Sequence, residues 1–412
     1  MGEDRSRRAQ GRIGVAALAV HVAGVVYLRP SLGPPAAASP TAVRPPLAPA
    51  VWTLASVTFG DEDHGVVGFY RMNLPGPGPI TSFLTSDGGR TWRQLAGDPG
   101  GIAVAGFLDG RTVLLQTATR AGPTNTRLSE DGGHTWRRLS DPRRLPGLGL
   151  PTFLDGQHGL WIERPPTPDP RSPALTTLWR TSDGGRSWQR LAASGLPQTG
   201  FLGQLVLVDP LHGALVFTFP DGSRSWFATT DGGDSWQVVR GPDTPLPDTW
   251  TRSVIVLRHG GRLLAWLEAV SGSLSANGFL AAPNGTIDAA AFVSTSDDGG
   301  QTWGPPRAGP NSVESGYTSL IPKLDDRGRM LLLDNRHLWV SEDDGATWDV
   351  RVVQVPAGVQ PAWLAGAPPG GLFAAAFQTG AFGVVTPSTP LTLIRSVDGG
   401  AHWSPLSLPR PP

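Results

Sequence analysis

The chain contains no cysteine, and Lys323 is the only lysine among its 412 residues. The missing cysteines exclude a disulfide framework, thiolate chemistry and a cysteine-based zinc site. The formal net charge is zero, so binding of nucleic acid through bulk positive charge is not expected. The repeats and the N-terminus are therefore the parts of the sequence that carry information about function.

The N-terminus joins a basic region, residues 1–12, to an uncharged and mostly apolar segment at 13–28 that Arg29 ends. This segment is slightly short for a spanning helix, which needs about 17–25 residues, and slightly long for the apolar region of a signal peptide. An uncleaved signal anchor and a signal peptide cleaved near 36–38 therefore both stay open. In both cases the arginine excess before the segment predicts that the rest of the chain lies outside the cytoplasm.

Residues 29–50 are rich in proline and alanine and contain few large apolar side chains. This composition predicts an extended tether between the apolar segment and the folded part of the chain. We therefore expect one folded domain at 51–412, connected to the membrane if the N-terminal segment is not cleaved.

Seven copies of one eight-residue pattern occupy this domain. The pattern reads Thr or Ser, any residue, Asp, Gly or Asp, Gly, any residue, Thr or Ser, Trp, and its copies lie at 85–92, 129–136, 181–188, 229–236, 296–303, 341–348 and 396–403. In the last copy His402 replaces the second Thr or Ser. We call this pattern the Asp-Gly motif. Its aspartates and tryptophans are Asp87, Trp92, Asp131, Trp136, Asp183, Trp188, Asp231, Trp236, Asp298, Trp303, Asp343, Trp348, Asp398 and Trp403.

A second pattern, Asp-x-x-His-Gly, precedes three of these motifs. It begins at Asp61, Asp155 and Asp209, and an apolar run follows each copy. We call it the Asp-His turn. Together the two patterns predict four short antiparallel strands per repeat, which is the composition of a propeller blade. Repetition at roughly 40–55 residues supports this assignment, so we expect an all-β fold with a single seven-bladed β-propeller.

The Asp-Gly motif has a structural interpretation and a metal-binding alternative. The aspartate can accept backbone N–H groups of the turn, the second glycine can adopt positive φ, and the tryptophan can cover the turn. Calcium binding is not expected, because no copy has the ligand spacing of a calcium hand. The histidines His64, His158 and His212 fall in different blades, so we interpret them as turn residues and expect no metal and no cofactor.

The motif TSDGGRTW at 85–92 and its six relatives resemble the Asp box, also called the BNR repeat, of sialidases, sortilin-type receptors and some glycoside hydrolases. Combined with the Asp-His turn, the repeat most resembles propellers of the photosystem II assembly-factor type. The resemblance covers about residues 51–408 and implies the propeller fold. It implies no single activity, because the motif recurs in proteins with unrelated functions.

Strand alternation assigns two faces to the ring. The Asp-His turns and the Asp-Gly motifs share one face, which we call the motif face; the connections of variable length lie on the other, which we call the variable face. These connections span 70–82, 141–150, 163–177, 241–252, 270–291 and 305–316. Variable loops on a rigid scaffold commonly carry binding residues, and our candidates are Tyr70, Arg71, Glu163, Arg164, Trp250, Arg252 and Tyr317.

Two functions follow from these candidates. The first is an extracytoplasmic, membrane-tethered and monomeric scaffold that binds a protein or a glycan. The second is a sialidase-like glycoside hydrolase, because YRMNLP at 70–75 and SGYTSL at 315–320 resemble sialidase segments. That resemblance implies Arg71 as a carboxylate ligand and Tyr317 as the nucleophile. The spacing after Arg71 departs from the family, and no glutamate matches the partner of the tyrosine, so we favour the scaffold.

Overall fold

The structure is a computed structural model. It describes residues 52–71, 80–95, 102–107, 111–119, 122–139, 151–163, 177–197, 201–218, 223–243, 251–270, 273–274, 280–281, 289–310, 321–334, 336–368, 370–378 and 391–409. Within these ranges every helix or strand is a β-strand, and no helix that could cross a membrane is present. The N-terminal region, the apolar segment and the linker lie outside the described residues.

Seven four-stranded antiparallel sheets form the ring, and each comes from one contiguous stretch of chain. Blade 1 contains β1 (Trp52–Phe59), β2 (His64–Arg71), β3 (Ile80–Ser86) and β4 (Arg93–Gln94). Blade 2 contains β5 (Ile102–Phe107), β6 (Val113–Thr119), β7 (Gly122–Ser129) and β8 (Arg137–Arg138). Blade 3 contains β9 (Pro151–Phe153), β10 (Gly159–Glu163), β11 (Thr177–Thr181) and β12 (Gln189–Arg190). Blade 4 contains β13 (Phe201–Leu207), β14 (Gly213–Thr218), β15 (Arg224–Thr229) and β16 (Gln237–Val239).

The remaining three blades follow the same order. Blade 5 contains β17 (Thr251–His259), β18 (Arg262–Val270), β21 (Ala289–Ser296) and β22 (Arg307–Ala308). Blade 6 contains β23 (Lys323–Leu324), β24 (Met330–Leu333), β25 (His337–Ser341) and β26 (Asp349–Val352). Blade 7 contains β27 (Val359–Gly366), β28 (Leu372–Gln378), β29 (Leu391–Ser396) and β30 (Ser404–Leu406). The expected all-β, seven-bladed propeller is therefore confirmed.

Blade 5 differs from the expectation in one respect. The insertion at 270–291 contains a two-stranded sheet made of β19 (Ser273–Leu274) and β20 (Leu280–Ala281). This small hairpin stands between the second and third strands of the blade, so it extends the variable face. The mostly small and polar residues at 271–278 gave no strand signal, since short hairpins have weak periodicity.

The first strand of each blade is innermost, and the ring closes between blades 1 and 7. Innermost strands contact one another from blade to blade, as β13 contacts β17 and β1 contacts β27. At the closure the rings of Phe59 and Phe373 stack with centroids 3.6 Å apart. The indole Nε1 of Trp92 donates to the carbonyl of Ser407 at 2.9 Å. Side-chain packing and hydrogen bonds thus close the ring.

The hydrophobic core consists of layers between neighbouring blades. In β18, Trp266 packs toward blade 6 against Met330, whereas Ala265 packs toward blade 4 against Val216. Both faces of the second strand are buried, so its sequence is a continuous apolar run rather than an alternating one. A fully buried side chain of this size contributes roughly 1.5–3 kcal/mol, and the repeated layers make the ring a rigid support for its loops.

Candidate functional site

Each Asp-Gly motif forms a turn whose polar groups bond to one another. In blade 3, Thr181 Oγ1 donates to Asp183 Oδ1 at 2.8 Å and accepts the backbone N–H of Gly185 at 2.8 Å. Ser187 donates its backbone N–H to Asp183 Oδ1 at 2.9 Å and its hydroxyl to Oδ2 at 2.6 Å. In the last motif the ring of His402 replaces this hydroxyl, with Nδ1 2.6 Å from Asp398 Oδ2. The carboxylate is thereby committed to the turn.

These hydrogen bonds stabilise the charged form of the aspartates. Partial desolvation acts to raise the pKa of Asp183, but hydrogen bonds from Ser187 and Thr181 outweigh it and lower that pKa to about 2. The side-chain hydrogen bond from Thr135 likewise lowers the pKa of Asp131. A carboxylate that already accepts several donors is a poor general acid or ligand, so the geometry gives the motif a structural role.

The motif glycines adopt positive φ, and one non-glycine residue within the motifs shares this conformation. Gly184 and Gly185 have φ of 70° and 79°. In the sixth motif Asp344 stands in place of the first glycine with φ of 55°, which aspartate tolerates better than most residues. Its carboxylate accepts a hydrogen bond from Arg262 of blade 5 at 2.5 Å. The exception therefore links two blades.

The motif tryptophans are buried to different degrees. Trp236 and Trp403 expose only 3% and 5% of their surface and donate to carbonyls of their own motifs, those of Gly233 and Gly400. The other five are partly exposed. Trp188 donates instead to the carbonyl of Leu139 in the preceding blade at 3.3 Å. The tryptophan thus seals its own turn or ties two blades together.

The Asp-His turns lie beside the Asp-Gly motifs on the motif face. Gly184 N, in the motif of blade 3, donates to the carbonyl of Gln157 in the Asp-His turn of the same blade at 2.8 Å. His158 Nδ1 lies 3.0 Å from Asp155 Oδ2, and the turns at Asp61 and Asp209 have the same pairing. Each imidazole is thus held by its own turn. In the part of the chain that the structure describes, no group of three His, Asp or Glu side chains could hold a metal ion.

Arginines on the motif face join neighbouring blades. Arg93 of blade 1 donates to the carbonyl of Gly133 in blade 2 at 2.7 Å, and Arg180 of blade 3 donates to the carbonyl of Asp231 in blade 4 at 3.1 Å. Arg137 makes the equivalent bond to Gly184. Sequence analysis did not assign these contacts, because they depend on which blades become neighbours. On the motif face, these hydrogen bonds hold neighbouring blades of the ring together.

The predicted binding residues lie at the variable face or beyond the described residues. The backbones of Tyr70 and Arg71 end β2, that of Glu163 ends β10, and that of Arg252 lies near the start of β17. These four residues belong to blades 1, 3 and 5, and no two of these blades are adjacent. Three further candidates, Arg164, Trp250 and Tyr317, lie outside the described residues. Their role stays a prediction.

Blade 6 carries on its variable face a polar turn that sequence analysis missed. Asp334 is 3% exposed and accepts the backbone N–H of His337 at 2.6 Å and the indole N–H of Trp339 at 3.2 Å. The signal was present as Asp-x-x-His at 334–337. It was overlooked because it joins the second and third strands, where the other blades have no such pattern. The turn closes the variable face of this blade compactly.

The innermost strands contain three basic residues that sequence analysis did not name as candidates, Arg258, His259 and Lys323. Their described residues include no aspartate and no glutamate, and the only charged or titratable side chains are those of Arg252, Arg258, His259 and Lys323. The axis of the propeller is therefore bordered by neutral and basic residues. This distribution contrasts with the motif face, where carboxylates and arginines pair.

No protein-family model and no curated protein matches the chain. Among solved structures it is similar to YCF48 bound to a D1 peptide, with 20% identity over 84% of this chain and 97% of that chain and a TM-score of 0.44. It is also similar to YCF48 from Cyanidioschyzon merolae, with 16% identity over 81% and 95% and a TM-score of 0.41. A lectin from Aleuria aurantia in complex with a fucosylated GlcNAc shows 11% identity over 73% and 94% and a TM-score of 0.40. These similarities assign neither a ligand nor an activity to this chain.

Proposed function

We propose that this protein is a non-catalytic propeller scaffold that binds a protein or a glycan on its variable face. The observation that carries the proposal is the difference between the two faces. On the motif face, carboxylates, hydroxyls and arginines are used in hydrogen bonds within the ring. The variable connections make no regular repeat, and such loops on a rigid support are the usual place for recognition.

Peptide and glycan arrays probed with the full-length chain in detergent provide the test. We expect captured ligands to lose affinity when Trp250 or Tyr317 is replaced by alanine. Replacing Val397, a residue of the seventh Asp-Gly motif that is 72% exposed, by alanine should leave binding unchanged. A ligand that depends on Val397 and not on the two aromatic residues would refute recognition at the variable face.

The scaffold is further proposed to work outside the cytoplasm. The support is the basic region at 1–12 followed by the apolar segment at 13–28, which is typical of export signals. A reporter fused after Ala50 tests this. We expect an alkaline phosphatase fusion to be active and a fluorescent protein that matures only in the cytoplasm to be dark. The reverse result would remove both the anchor and the signal-peptide interpretations.

A further inference from the structure

The only lysine of the chain lies in an innermost strand. Lys323 begins β23 and pairs with Leu331 of β24. The next residue, Leu324, packs toward blade 5 with Trp266 and Met330. Because side chains alternate along a strand, Lys323 points to the opposite side, toward blade 7. β24 occupies the outer edge of β23, so Lys323 stands on the strand that borders the axis of the ring.

The ammonium group of Lys323 has no ion pair and no hydrogen bond among the described residues. Its side chain keeps part of its surface accessible, yet the surrounding protein desolvates it and thereby lowers its pKa. Both properties fit a side chain that borders a narrow internal space. Enclosing a charged group without a partner costs folding free energy. The packing of the hydrophobic core does not need a lysine at this position.

Neighbouring carboxylates are already committed to other partners. Asp325, two residues after Lys323, bonds to Arg329 with Nε and Oδ2 2.7 Å apart. Asp334 of the same blade bonds to His337 and Trp339. The innermost strand of blade 7, β27, contains no charged residue. Lys323 therefore faces a local environment that supplies no counter-ion from the described residues.

Two other basic side chains of the innermost strands, those of Arg258 and His259, lie near the motif-face end of the axis. Arg258 of blade 5 donates from Nη2 to the carbonyl of Leu154 in blade 3 at 2.9 Å. This bond passes the inner end of blade 4, so the guanidinium lies across that end of the ring. Nδ1 of His259, the next residue of β17, lies 3.6 Å from Oδ1 of Asp344 in blade 6. Lys323 is the one of these three that has no partner in the described structure.

We propose that Lys323 anchors an axial anion site that binds a small carboxylate. A single ammonium with neutral walls matches the single charge of a carboxylate, whereas a phosphate dianion calls for several donors. The site lies toward the motif-face end of the axis, since Lys323 stands two residues before the turn that begins at Asp325. It is therefore separate from the surface proposed to bind a protein or a glycan.

The uniqueness of Lys323 makes the proposal directly measurable. Reductive methylation of the full-length chain with ¹³C-formaldehyde labels only this side chain and the N-terminal amine, whose signals differ. We expect acetate and N-acetylglycine to shift the Lys323 signal saturably and to raise its pKa. Acetamide and N-acetylglycine amide, which have no charge, should give no shift, and sodium chloride serves as the control for ionic strength.

Two variants test the site without the label. Acetate should raise the melting midpoint of the parent chain saturably, as expected for a ligand of the folded state. Lys323→Arg should keep this response, and Lys323→Met should lose it while its own midpoint without acetate stays equal to or above that of the parent. A response that persists in Lys323→Met would place the anion elsewhere and overturn the proposal.

Other outcomes are equally decisive. Failure to label Lys323 would show that no solute reaches the ammonium, and equal responses to acetate, chloride and phosphate would show a general salt effect; both overturn the site. An array ligand that binds the variable face without moving the Lys323 signal leaves the scaffold function intact. Conversely, an acetate response without any array ligand supports the axial site and counts against the scaffold.

Discussion

The motif face and the axis of this propeller differ in how their charged side chains are paired. On the motif face, Asp183 accepts donors from Thr181 and Ser187, and Arg180 reaches the next blade. At the axis the described innermost strands contain no acidic residue, and Lys323 has no described partner. A group with a satisfied environment contributes to stability, whereas an unsatisfied one costs stability and is retained where it has another use. The comparison separates the repeated residues, which build the ring, from Lys323, to which we assign the proposed anion site.

The largest expected effect on the motif side comes from removing a buried motif tryptophan. Trp236→Ala should reduce the free energy of unfolding by about 3–5 kcal/mol, because a large aromatic side chain leaves a cavity between the blades. Denaturant unfolding of the full-length chain measures this. Val238, two residues away and 71% exposed, provides the control, and Val238→Ala should change stability by about 0.5 kcal/mol or less. Equal effects of the two substitutions would show that the tryptophan is not a structural element.

A smaller effect is expected from the hydroxyl inside the turn. Thr229 is 2% exposed, and its Oγ1 accepts the backbone N–H of Gly233 at 2.9 Å. Thr229→Val keeps the shape but leaves this donor without an acceptor, which should cost about 1–3 kcal/mol. Thr230 is exposed, so Thr230→Val is the matched control and should be near neutral. If both variants unfold alike, the hydrogen bonds of the motif do not stabilise the ring.

The motif aspartates should also make stability depend on acid. The pKa of Asp183 is about 2 in the folded state and about 3.9 in an unfolded chain. Its contribution is therefore fully present above pH 4 and is lost as pH falls through 2, since protonation then breaks the turn. The melting midpoint of the parent chain should fall over this interval. The midpoint of Asp183→Asn should fall less steeply, because this variant lacks the titrating carboxylate of one of the seven motifs. Asp243→Asn, which removes an exposed carboxylate outside the motifs, should decline as steeply as the parent.

The ring could be predicted from sequence because its determinants are local and repeated. Thr229, Asp231 and Gly233 lie within five consecutive positions, so the chemistry of one turn defines its geometry without knowledge of the rest of the chain. Seven copies of that turn then set the number of blades. The turn aspartates and their N–H donors could be inferred in the same way, since a β-turn offers few alternatives.

The contacts between blades and the environment of the axis could not be predicted in this way. Arg258 meets Leu154 only because blades 3 and 5 approach each other at the inner edge of the ring. Lys323 carries no sequence signal beyond being the only lysine, and its lack of a partner becomes visible only after the strands of blades 5, 6 and 7 are assembled. Sequence analysis placed the candidate binding residues by the variable loops and by short resemblances around Arg71 and Tyr317, so it assigned a face rather than a site.

The smallest expected effect concerns catalysis, where we predict no measurable turnover. Arg71 and Tyr317 resemble sialidase residues only in short segments, and no glutamate in a matching context accompanies the tyrosine. A tyrosine nucleophile needs such a base for activation, so the full-length chain should hydrolyse a fluorogenic sialoside no faster than a buffer blank. Turnover above the blank that Tyr317→Phe abolishes, and that Arg71→Ala weakens through a higher KM and a lower kcat/KM, would contradict the prediction. Loss in both variants with an unchanged melting midpoint would identify the variable face as a catalytic surface, because the fold would persist while the phenolic oxygen and the charged contact were gone.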